Sequence, residues 1–188
     1  MNLQALLDKH GIEVEIDTLL AKWQEPQRHY HDEMHLDDLI RQIETLFNEH
    51  KINSVEREKL LLTAIFHDII YQPTRKDNEE RSAEYFINLC KHPDDPNIQE
   101  IKQAILDTKR HQSEHPFSKL FNQLDMDIVT RPFEELLEWE KGCYEEYKVY
   151  GKLLYKHGRL KFLKTLPEQY PQNKEQLAQL IQWVKEHY

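Results

Sequence analysis

The sequence predicts an all-α fold, a helical bundle with short connections. Three observations lead there. Apolar residues recur every three or four positions, as in Leu36, Leu39, Ile40, Ile43, Leu46 and Phe47, and again in Leu177, Leu180, Ile181 and Val184. Only four Gly and eight Pro among 188 residues leave little room for hairpin turns or flexible linkers. No stretch of strand length alternates apolar with polar residues. A chain of this length fits one domain, residues 1–188, and can bury a core without metal or disulfide staples.

Residues 1 to 10 read as a short helix closed by Gly11, and Asp17 to Glu25 as a second that stops before Pro26. Trp23 there reads as core. The third helix is expected from near Gln27 to His50. Asn53 with Glu56 three residues on forms a capping box that opens the central helix, which Pro73 ends. The acidic run from Asp77 to Glu80 suits the positive N-terminus of a helix reaching Lys91. Asp95 as N-cap with Pro96 in the first helical position starts the next, which runs to about Arg110. Phe117 to Val129 follows at helical spacing. Thr130 to Tyr155 reads as one long amphipathic helix bent at Gly151, Gly158-Arg159 begins a shorter segment, and Asn173 caps a last helix, about 173–187.

Composition narrows the function. A formal charge of −9 argues against nucleic-acid duplexes, whose phosphates demand a surplus of Lys and Arg. Small anionic substrates stay open, because a local cation can hold them within an acidic protein. Asp8, Glu13, Glu15 and Asp17 interrupt the first twenty residues, and nowhere does an apolar run reach the roughly 20 residues that cross a bilayer. No signal peptide and no membrane partner are therefore expected. Cys90 and Cys143 have no Cys-x-x-Cys neighbour and read as inert core thiols in a reducing cytoplasm.

Three places set polar groups into apolar surroundings. His67 and Asp68 sit inside the run from Leu60 to Tyr71, which contains no Arg or Lys. Burying such groups costs free energy unless something pairs them. His31 and His35 are four apart, and on one helix they would share a face. Asp125 and Asp127 lie in the apolar run from Leu124 to Val129. Any one of these alone is more often a hydrogen-bonded core residue. Together, imidazoles and carboxylates from three helices are a common way to hold a divalent cation in a bundle.

The ordered set resembles a family. His35, His67-Asp68 and Asp127 are similar to the His…His-Asp…Asp order of the HD superfamily of metal-dependent phosphohydrolases, which are all-helical. Arg28-x-Tyr30-His31-x-x-x-His35, Phe66-His67-Asp68-Ile69-Ile70-Tyr71, Asp77-Asn78-Glu79-Glu80-x-Ser82-Ala83, Thr108-Lys109-x-His111, Leu124-Asp125-x-Asp127 and Gly158-Arg159 resemble successive signatures of a small bacterial branch of predicted HD phosphohydrolases. The likeness spans about residues 20–165. It implies a single HD-type domain in which His35, His67, Asp68 and Asp127 bind a divalent ion (Mn, Fe, Co, Ni, Zn or Mg), with Asp127 favoured over Asp125 as the last ligand.

The arrangement of His31 and His35 also resembles that of cyclic-nucleotide phosphodiesterases, which makes His31 the general acid. An imidazole with an ordinary pKa of about 6.5 suits that task. Asp68, on the metal, joins the catalytic group, and attack of metal-activated water on phosphorus would build charge that Lys109 and Arg159 stabilise. His111 would meet a second metal or the phosphate, Asn78 and Glu79 would orient metal-bound water, and Arg28 would support the site or its substrate. The implied substrate is a small phosphate ester of nucleotide type, cleaved as a mono- or diester, and a homodimer is left open. A non-hydrolytic metal and nucleotide sensor is the alternative. A zinc peptidase is disfavoured, since Asp32 stands directly after His31 where such sites place Glu. An interaction protein displaying Trp139, Tyr144, Tyr147 and Tyr150 is a third reading, although aromatic stripes of this kind are more often core.

Overall fold

The computed structural model describes residues 2–188, and among them the regular secondary structure is helical. The one extended pairing among the described residues is an isolated antiparallel bridge between Ile12 and Cys90. The chain divides into two compact units, one ending at Asp125 and the other beginning at Met126.

The first unit contains α1 (Leu3–Lys9), α2 (Ile16–Trp23), α3 (Glu33–Asn48), α4 (Ser54–Phe66), α5 (Asn78–Leu89), α6 (Pro96–Asp107) and α7 (Pro116–Asp125). Helix α4 is the central one, and its last eight residues, Lys59 to Phe66, are all buried. It packs against α3, α5, α6 and α7, so its apolar side chains find partners all round. The capping box holds, with the Asn53 side chain accepting from the Glu56 amide and the Glu56 carboxylate from that of Asn53. Lys59 is tolerated in this core because its ammonium pairs with Glu100 of α6 and lies over the Phe117 ring.

Two boundaries differ from expectation, and both shape the site. Helix α3 begins at Glu33, because the Asp32 carboxylate accepts from the Met34 and His35 amides and so ends the helix on its N-terminal side. His31 therefore precedes the helix and shares no helical face with His35. Helix α4 ends at Phe66, well before Pro73, so His67 is its C-cap and Asp68 lies in the following turn.

The second unit contains α8 (Phe133–Tyr147), α9 (Lys152–Leu163), α10 (Leu166–Gln169) and α11 (Lys174–His187). The long helix expected from Thr130 to Tyr155 is cut at Gly151, whose φ of +76° lies in the left-handed region that suits glycine. Gly158 and Arg159 fall inside α9 and begin nothing. Asn173 stands at the N-cap of α11, but its amide donates instead to the carbonyls of Val129 and Arg131. A buried ion pair ties α8 to α9: Glu140, fully inaccessible, accepts from Arg159 Nε at 2.6 Å and from the Tyr155 hydroxyl at 2.7 Å.

Candidate metal centre

His67 fixes the orientation of the site. Its Nδ1 lies 3.0 Å from the Ala64 carbonyl, which can only accept, so Nδ1 carries the proton and Nε2 faces the opposite way. His35, on the first turns of α3, brings its own Nε2 to 3.3 Å from that atom. Asp68 Oδ2 lies 3.4 Å from His67 Nε2, and one donor atom each of His35, His67 and Asp68 lie within 4.8 Å of one another. Asp125, the last residue of α7, places Oδ1 at 3.0 Å from His35 Nε2 and 3.6 Å from His67 Nε2.

These separations fit a cation. Ligand bonds of roughly 2.0–2.2 Å set neighbouring donors roughly 3.0–3.6 Å apart around a tetrahedral or octahedral ion. Two imidazole nitrogens and two carboxylate oxygens form a borderline donor set suited to Mn, Fe, Co, Ni or Zn. Electrostatics agree. Burial alone would lower the His67 pKa, but Asp68 and Asp125 outweigh it and carry it up to about 9. Burial would likewise raise Asp125, yet the charge of His67 and hydrogen bonds from His111 and His35 hold it well below the usual carboxylate range. The pocket is thus built for positive charge at its centre.

Of the two aspartates at this point in the chain, one lies beside the imidazoles. Asp125, and not the favoured Asp127, supplies the carboxylate beside the two imidazoles. Two residues of register decide it: α7 ends at Asp125, while Asp127 opens a 3-10 turn where its carboxylate takes Arg131 at 2.9 Å and the Thr130 hydroxyl. His111 also reaches the cluster, donating from Nε2 to Asp125 Oδ2 at 2.9 Å. It does so from a left-handed backbone with φ of +48°, a conformation that costs a non-glycine residue about 1–2 kcal/mol.

The other expected residues have different partners. Lys109 Nζ is engaged by Glu80 at 2.5 Å, the Lys76 carbonyl at 2.6 Å and Glu79 at 3.5 Å, so it links the start of α5 to the end of α6. Asn78 is buried and spans Gln72, accepting from its amide and donating to its carbonyl, which pins the loop after α4. Arg159 pairs with Glu140 and lies over Trp139 within the second unit. These three residues hold the fold, and none has its charge or amide turned to the four donor atoms.

His31 stacks on Tyr71, with ring centroids 4.4 Å apart, and lies 6.0 Å from the His35 ring. Beneath the cluster, Trp23 packs against the rings of His35 and His67 at 6.3 and 5.6 Å and donates to the Ile65 carbonyl. Tyr71 and Trp23 were not singled out as functional. Their signal, an aromatic at each end of the histidine-bearing segments, is indistinguishable in sequence from ordinary core. Burial pushes the half-buried Cys90 thiol up to about 11 and the buried Cys143 thiol up to about 12, which favours the protonated form of both.

Compared with protein-family models, with curated proteins and with solved structures, the chain gives no significant match to any.

Proposed function

We propose that the protein is a metal-dependent phosphohydrolase acting on a small phosphate ester, of nucleotide type by the resemblance of its motifs to the HD phosphohydrolases. The observation that carries the reading is that His35 Nε2 and His67 Nε2 lie 3.3 Å apart, with Asp125 Oδ1 at 3.0 and 3.6 Å from them and Asp68 Oδ2 at 3.4 Å from His67 Nε2. A divalent cation held by these residues would supply Lewis acidity toward a phosphoryl oxygen and would lower the pKa of a coordinated water toward neutrality.

The chain's own groups divide the remaining work. Asp68 and Asp125 neutralise the cation, and the hydrogen bond from His67 Nδ1 to Ala64 keeps its other nitrogen free to ligate. His111 holds the outer oxygen of Asp125 so that the inner one stays at the centre. His31, whose ring lies 6.0 Å from that of His35, takes the role of the acid that protonates a departing oxygen. Elemental analysis of protein purified without added metal, followed by phosphate release from a panel of phosphate esters with Mn²⁺ or Co²⁺, tests this directly. Turnover that chelator removes and metal restores supports the reading. Tight nucleotide binding without turnover under any metal would make the protein a sensor instead.

A further inference from the structure

Arg28 stands where two segments of the site approach each other, and its side chain is fully inaccessible to solvent. Its guanidinium forks. Nη1 donates to the His31 carbonyl at 2.7 Å, and Nη2 donates to the carbonyls of Asp68 at 2.8 Å and Ile69 at 3.3 Å. The same group lies 5.3 Å from the centroid of the Tyr71 ring, and Tyr71 is the ring on which the His31 imidazole stacks. Trp23 faces the guanidinium at 5.1 Å and touches His35 and His67. Glu25, partly exposed, approaches Nε to 3.7 Å.

Burying a cation carries a desolvation cost that apolar packing would avoid. The fork offers what apolar packing cannot: two donor arms in one rigid plane, each given to a different segment. One segment bears His31 and the other bears Asp68. We infer that Arg28 is a positioning residue that sets the distance between the His31 imidazole and the Asp68 side of the metal centre, through the two backbone segments and the Tyr71 ring. The inference rests on the proposed phosphohydrolase reading for its catalytic consequence, and on the contacts above for its structural one. Lysine keeps the charge but has a single ammonium, which serves one segment at a time.

The test compares wild type, Arg28→Lys, His31→Ala and the double variant in the full chain. Calorimetry with Mn²⁺ gives metal affinity, and hydrolysis of bis(p-nitrophenyl) phosphate and p-nitrophenyl phosphate gives kcat and KM. Arg28→Lys should hold metal affinity within about threefold and KM nearly unchanged, while kcat falls about 10–100-fold, the loss that a displacement near 1 Å brings. The double variant should be no slower than His31→Ala alone, because the lysine acts only through His31. A further loss in the double variant, or metal affinity falling in step with kcat, would overturn the inference. Proton NMR of the Co²⁺-loaded protein supplies a readout without turnover. The His31 ring protons should keep one sharp hyperfine-shifted position in wild type and lose it in Arg28→Lys. Unaltered His31 signals in the lysine variant would sink the inference even if the enzyme is active, whereas a wild type that holds Co²⁺ but hydrolyses nothing would sink the phosphohydrolase reading and leave the NMR comparison to decide Arg28.

Discussion

Asp125→Asn separates the two candidate carboxylates most cleanly. The amide has nearly the volume of the carboxylate but no negative charge, so packing at the end of α7 is kept and coordination is not. Asp125 Oδ1 stands 3.0 and 3.6 Å from the two imidazole nitrogens, and Oδ2 is held by His111 at 2.9 Å. Losing a partner that merely supports a ligand costs about 10–100-fold in metal affinity, so losing a ligand should cost about 100-fold or more, which is roughly 2.7 kcal/mol. Asp127→Asn should do nothing of the kind. That carboxylate is 37% exposed and paired with Arg131, a contact worth about 0.2–1 kcal/mol, so its removal lowers Tm by no more than about 4 °C. Titration of chelator-treated protein with Mn²⁺ in a calorimeter measures both. If Asp127→Asn abolishes binding while Asp125→Asn preserves it, the geometric argument for the centre fails.

The remaining predictions concern charge and turnover. In metal-free protein His67 has its pKa raised from 6.5 to about 9. Its contribution is therefore fully present below about pH 6.5 and lost as pH rises through about 9, on the order of 3 kcal/mol in all. Melting curves of chelator-treated protein should fall across that window, and saturating metal should remove the decline by replacing the proton; a flat metal-free profile would contradict the assignment. His67→Ala and Asp68→Ala should each abolish tight metal binding, whereas His31→Ala should retain metal and lose turnover about 10²–10⁴-fold. Metal loss in His31→Ala, seen by elemental analysis, would remove it from the role of acid. Glu140→Ala leaves Arg159 buried beside Trp139 without its carboxylate and should cost about 3–5 kcal/mol by chemical denaturation. A variant as stable as wild type would show that the pair is dispensable to the second unit.

Much of the fold was legible because it depends on local chemistry. The Asn53 and Glu56 box, the Asp95-Pro96 start and the all-helical pattern each follow from residues within one or two turns. The boundaries around the histidines were not, since Asp32 can serve as a helical residue or as a cap and only tertiary packing selects the cap. His35, His67 and Asp68 were visible as polar residues in apolar runs, and the structure brings them together. Choosing between Asp125 and Asp127 required knowing where α7 ends, a matter of two residues. The partners of Lys109, Asn78 and Arg159 could not be read in advance, because Glu80, Gln72 and Glu140 reach them only once the chain has folded back.

Every side chain assigned to the centre, from Arg28 and His31 to His111 and Asp125, precedes the division at Met126. The proposed coordination therefore draws on one continuous stretch of chain. A change confined to residues after that boundary would leave every residue of the proposed centre unaltered in sequence.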